Sequence, residues 1–172
     1  MSARLGEETM LIEFSVENYL SFKDKVTLSM AASRDKSLLQ NVTKSAQGTK
    51  FDLLKSAAIY GANAAGKSNL IKAMNFSKDF ILNSSRESQK DSPIKVTPFK
   101  LDAVLHSKPS KFEIIFLQEG VRYFYSFSVD STRVYEEKLY SYPKNQKRLL
   151  FERVLEDGEN EHYLTKTKLS SM

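Results

Sequence analysis

Gly61-Ala62-Asn63-Ala64-Ala65-Gly66-Lys67-Ser68 follows the apolar run Ser56-Ala57-Ala58-Ile59-Tyr60 and precedes Asn69-Leu70-Ile71-Lys72-Ala73-Met74, and the reading of the fold turns on that order. The eight residues fit G-x-x-x-x-G-K-[ST], a phosphate-binding loop, whose setting is a strand before it and a helix after it. Both flanks match the pattern. A short apolar run ending in Gly61 predicts a buried strand that stops at a tight turn. Beyond the loop, Leu70, Ile71, Met74, Ser77 or Lys78, and Ile81 recur near the helical period, which predicts a helix of about four turns with no Gly or Pro inside it.

The residue types suit the chemistry. Gly61 and Gly66 permit backbone angles that let successive N–H groups point into one concavity around a β-phosphate. Lys67 adds a mobile cation for the β- and γ-phosphates, and the Ser68 hydroxyl is a candidate ligand for the magnesium that bridges them. A helix beginning at this point contributes its positive end. Background residue frequencies give roughly one chance match in a couple of hundred chains of this length.

Working outward, residues 1–9 are polar and without period, which predicts a flexible leader. Ile12, Phe14 and Val16 alternate with Glu13, Ser15 and Glu17, and Val26, Leu28 and Met30 alternate again after a turn at Asn18-Tyr19-Leu20-Ser21, so residues 11–30 read as an antiparallel hairpin. Residues 33–50 read as a loop with one helical turn, and residues 83–98 as a polar linker. Residues 111–130 form two β-rich runs around Gln118-Glu119-Gly120, a hairpin signature. A second hairpin joins residues 132–142 to 147–155 through Tyr142-Pro143-Lys144-Asn145. The polar stretch from Glu156 onward shows no core-forming run.

The chain has 172 residues, 26 Lys+Arg against 21 Asp+Glu, and no Cys. That length supports one core of ordinary density. The absence of cysteine excludes thiol catalysis, zinc ribbons and structural disulfides. No apolar stretch reaches the ~18 residues that span a bilayer, and a cytoplasmic protein with no membrane partner is expected. The positive charges are interleaved with acids, as on a solvated surface. His106 and His162 have no second ligand at metal spacing. Tyr123, Phe124, Tyr125 and Phe127 beside Arg122 suit either sheet packing or a stacking platform for single strands, with packing the better match to strand alternation.

Asn63 at the third loop position makes the motif resemble that of the ABC-type ATPase heads of chromosome-maintenance (SMC), RecF and RecN proteins. The opening run Ile12-Glu13-Phe14-Ser15-Val16-Glu17-Asn18-Tyr19-Leu20-Ser21-Phe22-Lys23 resembles their first strand. Pro98-Phe99-Lys100-Leu101-Asp102, Lys111-Phe112-Glu113-Ile114, Tyr140-Ser141-Tyr142-Pro143 and Leu150-Phe151-Glu152-Arg153 resemble the AAA-labelled ATP-binding proteins of the RloA or abortive-infection type, which are tied to phage defence. The resemblance covers about residues 10–165.

It implies an α/β P-loop NTPase of the ABC/SMC-head type: an N-terminal lobe with antiparallel β-hairpins around a strand, phosphate loop and helix. It implies nucleotide contacts from Gly61, Ala62, Asn63, Ala64, Ala65, Gly66, Lys67, Ser68 and Asn69, with Ser21 and Lys23 as further neighbours. The cofactors would be ATP and Mg2+, the metal held by Ser68. The partners would be a second ATPase head in a homodimer, and a nuclease or DNA.

Hydrolysis in such heads also uses a strand ending in a magnesium-binding acid followed by a glutamate. Here Ile114-Ile115-Phe116-Leu117-Gln118-Glu119 carries glutamine where that acid would stand, and Val129-Asp130 is followed by Ser131. No Leu-Ser-Gly-Gly-type signature loop is present. No catalytic residue is therefore assigned, and residues 10–165 read as an N-terminal lobe that needs a C-terminal half for turnover, with residues 166–172 as a tail. The alternatives are a nucleic-acid-binding module with a vestigial loop, and an inactive fragment.

Overall fold

Residues 10–17 form a strand in which Phe14 and Val16 share one buried face, but Ser15 on the other face is buried too. A bulge between Leu11 and Glu13 separates Ile12 from Phe14 and Val16, the three residues expected on one side, so that Ile12 packs with Leu53 and Leu117 instead. The computed structural model describes residues 9–35, 37–44, 49, 51–83 and 93–156, together with the backbone of 162–167. Met10–Glu17 (β1) pairs antiparallel with Val26–Ser29 (β2), the expected first hairpin. Val26, expected inward, is exposed, and Leu28 is the residue of this edge strand that packs on the core.

Short pairs at Val42–Thr43 (β3) and Leu53–Leu54 (β4) form a separate two-stranded ribbon, preceded by a single 3-10 turn at Leu39–Asn41. Lys67–Asn83 forms the helix α1 and Ala103–His106 a one-turn helix α2. The remaining strands are Ser110–Gln118 (β5), Val121–Val129 (β6), Val134–Tyr142 (β7), Arg148–Glu156 (β8) and His162–Thr167 (β9). The large sheet has seven strands in the order β2-β1-β5-β6-β7-β8-β9, each pair antiparallel.

Both expected hairpins of the second half are present. Glu119 (φ 51°) and Gly120 (φ 73°) both take positive φ, the geometry of a two-residue turn whose twist matches its strands. Strand β9 lies in the stretch that the sequence pattern left without structure, and it pairs with β8 through main-chain bonds from Glu156↔His162 to Phe151↔Thr167. Residues 1–8, 84–92 and 168–172, where the leader, most of the linker and the end of the tail were expected, lie outside the described residues.

The alternation places Phe14, Val16, Phe112, Tyr125, Phe127 and Val129 on one face, where α1 covers them. Aromatic rings make this contact: Phe76 lies 5.1 Å from Phe112, Phe80 stacks on Phe127 at 4.2 Å, and Phe112 on Phe127 at 4.9 Å. The buried side of α1 is Leu70, Ala73 and Ser77, flanked by Met74, Phe76 and Phe80. Ile71 and Ile81, expected in the inward stripe, face outward, with Ile71 52% exposed. The phenylalanines at 76 and 80 rotate the helix so that aromatic rather than β-branched side chains meet the sheet.

The opposite face carries ion pairs. Lys25 pairs with Glu113 at 2.6 Å, Lys111 with Glu17 at 3.8 Å, and Lys138 bridges Glu136 and Glu152. Much of the positive charge on this face is thus neutralised locally, and exposed pairs of this kind contribute little stability. A second small cluster, Ile12, Leu53 and Leu117, ties the ribbon to the sheet at the β1 bulge between Leu11 and Glu13.

One buried polar residue organises the turn after β1. Asn18 has φ 52°, a conformation asparagine tolerates, and is only 2% exposed. Its Nδ2 donates to the carbonyls of Leu105 (2.9 Å), Lys108 (2.9 Å) and Pro109 (3.3 Å), and its Oδ1 accepts from the Phe99 amide (3.1 Å). Asn18→Ala would leave several of these groups buried without partners. We expect about 2–3 kcal/mol of destabilisation by urea unfolding; a loss below about 0.5 kcal/mol would show that the side chain does not hold the 99–109 segment.

Deep in β6, the Tyr125 hydroxyl donates to Glu137 Oε1 (2.5 Å), and Arg153 Nε pairs with Glu137 Oε2 (2.7 Å). Burial, reinforced by the Glu137 carboxylate, pushes the Tyr125 phenol well above the ordinary tyrosine range, so it remains a donor. The aromatic run of residues 123–127 is sheet packing.

Candidate functional site

The segment leading into the site is not the buried strand its composition predicts. Ser56–Tyr60 has no regular secondary structure and lies outside both sheets, with its residues exposed and Tyr60 at 89%. A strand apolar on both faces needs pairing partners beside it and cover on each side. Among the described residues, every strand is already committed to the antiparallel sheet or to the ribbon, and none lies alongside 56–60. The start of the run is held instead by Asn41, whose Nδ2 donates to the Ser56 carbonyl (2.9 Å) and whose Oδ1 accepts from the Ser56 amide (3.1 Å) and hydroxyl (2.8 Å).

The loop itself is a sequence of turns ending directly in α1. Ala64 (φ 63°) and Gly66 (φ 88°) take positive φ and Ala65 lies between them, an alternation that turns neighbouring amides toward one side. The Ala65 amide donates to the Ala62 carbonyl at 3.3 Å, and the Leu70 amide begins the helical ladder on Gly66 at 3.0 Å. The amides at the start of α1, from Lys67 to Asn69, precede that ladder and have no intrahelical acceptor. They are the donors a bound anion would use.

Lys67 curls over the loop, its ammonium donating to the carbonyls of Gly61 (2.7 Å) and Ala62 (2.6 Å). Its charge therefore sits within the ring of backbone that the loop encloses. Ser68 is exposed at the first turn of α1, and Asn63, Ala64 and Ala65 form the outer lip. Asn69 Nδ2 donates to Ser21 Oγ at 2.9 Å, which anchors the loop to the turn after β1. The sequence-predicted set 61–69 is thus brought together in one place, and Ser21 joins it.

Lys23 does not. Its ammonium pairs with Asp102 Oδ2 at 3.0 Å, and Asp102 also caps α2 through the Val104 and Leu105 amides. The hydrogen bond from Lys23 and those from the helix amides hold the Asp102 carboxyl below the usual carboxylate range.

A Cβ placed on Gly66 would stand 3.2 Å from Ser21 Oγ and 3.5 Å from the Phe22 ring. With its positive φ, this position is built for glycine. Gly66→Ala is expected to destabilise the fold by about 1–2 kcal/mol, the cost of a left-handed conformation, measured by thermal unfolding; an unchanged melting temperature would mean the loop relaxes freely.

Glu119 and Asp130 both lie in turns of the large sheet. Glu119 forms the β5–β6 turn. Asp130 caps the β6–β7 turn: Oδ1 accepts from the Thr132 amide (2.7 Å) and hydroxyl (2.7 Å) and the Arg133 amide (2.9 Å), and Oδ2 from the Tyr135 hydroxyl (2.7 Å). Among the described residues, no group of three or more His, Asp or Glu converges as a metal site.

The family model described as "AAA domain, putative AbiEii toxin, Type IV TA system" matches residues 56–161, more than half of the chain. The chain belongs to this family. The match opens on the run that leads into the loop and extends through β8, and so takes in the loop, α1 and most of the sheet of this AAA domain. Its architecture is mixed α/β with a mainly antiparallel sheet, and the P-loop is the feature that ties it to nucleotide-binding AAA domains. No curated protein and no solved structure gives a significant match. No helix among the described residues is long and apolar enough to cross a membrane.

Proposed function

We propose that this AAA domain binds the triphosphate of Mg-ATP in the 61–69 loop, as the N-terminal lobe of an ABC/SMC-head-type ATPase serving phage defence or DNA maintenance. The observation that carries the reading is the Lys67 ammonium held over a loop with two positive-φ turns at the open end of a 17-residue helix. In this reading the backbone of Gly61, Ala62, Asn63, Ala64, Ala65 and Gly66 wraps the β-phosphate, the first amides of α1 up to Asn69 complete the cradle, and Lys67 exchanges its two carbonyl partners for phosphate oxygens. The donor set fits: amides, one ammonium and one hydroxyl face a polyanion with no carboxylate in the loop to oppose it. Ser68 is the residue that would hold magnesium, which when bound neutralises charge shared by the β- and γ-phosphates.

In this reading turnover falls to residues outside this lobe, because the Asp130 carboxylate is taken up by its turn and no apolar run of this chain ends in Asp-Glu. Head-to-head homodimerisation, and a nuclease or DNA partner, complete the proposal on family grounds. The test is calorimetric or thermal-shift titration with Mg-ATP: binding in the wild type that disappears in Lys67→Ala supports the site. Salt-dependent DNA binding that is indifferent to Lys67→Ala, with no effect of ATP, would replace it with a nucleic-acid module.

A further inference from the structure

Behind the turn that supports the phosphate loop lies a second concavity, a cavity of about 300 Å³ between the 96–110 segment and the end of β6. Its floor is apolar and buried: Val96 and Val129, the latter with no exposed surface. Its rim carries Lys100, His106 and Lys108. Among the described residues none of these three side chains is in an ion pair. The one carboxylate present, Asp130, already accepts four hydrogen bonds from Thr132, Arg133 and Tyr135. Burial opposes its ionisation, but these donors outweigh it and hold the carboxyl below the usual range, so it remains a charged, saturated wall.

The two lysines outnumber the one carboxylate, and together with an imidazole around an apolar floor they are complementary to a compact anion with an apolar body. The placement is maintained by the protein itself. Asn18 clamps the carbonyls of Leu105 and Lys108, Asp102 caps the α2 turn that carries His106, and Thr97 accepts from the Leu20 amide at 2.9 Å. None of residues 61–69 lines the cavity.

We infer that this cavity is a second anion site, separate from the phosphate loop, which takes the phosphoryl group of a small phosphorylated ligand on Lys100, His106 and Lys108. The test is a solution NMR titration of the full chain with inorganic phosphate and, separately, with adenosine monophosphate, at constant ionic strength. Saturable shifts are expected at the His106 ring and the Val96 and Val129 methyls in the wild type and equally in Lys67→Ala. In Lys100→Gln/Lys108→Gln the affinity should fall at least tenfold, as expected for loss of charge-assisted hydrogen bonds. Both lysines are exposed, so the variant should keep the wild-type amide spectrum elsewhere. Tighter binding of the nucleotide assigns the site to a nucleoside phosphate, and equal binding assigns it to free phosphate. Shifts confined to 61–69, shifts abolished by Lys67→Ala, shifts reproduced by chloride, or an unchanged double variant would each overturn the site. The Lys67→Ala arm separates this outcome from failure of the ATP site.

Discussion

Lys67→Ala is expected to abolish the stabilisation of this protein by Mg-ATP while leaving its fold intact. A ligand present at about a hundred times its dissociation constant stabilises the native state by about 2.7 kcal/mol, and at this chain length each kcal/mol moves the melting temperature by about 2–4 °C. A rise of about 5–10 °C in the wild type and less than about 1 °C in the variant is therefore the expected result. The reason is electrostatic. The ammonium is the one side-chain cation of residues 61–69, and it is already placed among the carbonyls of Gly61 and Ala62. The Gly61 and Ala62 residues are exposed, so water replaces the lost donor in the variant and little stability should go with it. Equal thermal shifts in both proteins would place the nucleotide somewhere other than the loop.

Phe127→Ala should produce the largest loss of stability of any single truncation considered. Phe127 is 2% exposed and contacts four rings, those of Phe76, Phe80, Phe112 and Tyr125, so its removal opens a cavity where α1 meets the sheet. Such truncations cost about 3–5 kcal/mol, a large part of the roughly 5–15 kcal/mol that holds a domain folded. Phe124→Ala, in the same run but on the opposite face, removes a half-buried ring with a tilted contact to Tyr140 at 6.2 Å and should cost less than half as much. Chemical denaturation of the two variants reads the difference. Comparable losses would mean that the two faces of β6 are equally packed and that α1 does not cover the one described here.

The contrast between these neighbours shows how much of the fold a linear reading reaches. Alternation in 11–17, 111–118 and 121–129 was enough to find the hairpins, because period two is a local consequence of strand geometry and one-sided burial. The loop 61–68 was legible for the same reason: glycine, lysine and serine at fixed offsets express a backbone requirement that needs no distant partner. The run 56–60 misled, since its apolar character speaks of burial but not of which strand, if any, stands beside it. Helical spacing puts Ile71 and Ile81 inward, but spacing alone does not orient a helix when Phe76 and Phe80 compete for the same sheet.

Sequence by itself determined the phosphate-loop motif, the helix after it and the three hairpins, all features whose causes lie within a few residues of one another. Tertiary structure alone decided that Ser21 reaches Asn69 while Lys23 turns away to Asp102, that β9 extends the sheet, and that Lys100, His106 and Lys108 surround one cavity. Those outcomes depend on contacts between residues tens of positions apart, such as the 48 that separate Ser21 from Asn69 or the 87 that separate Asn18 from Leu105. Which of many polar side chains closes such a loop is settled by packing and hydrogen-bond satisfaction across the whole domain, and no local pattern carries that information.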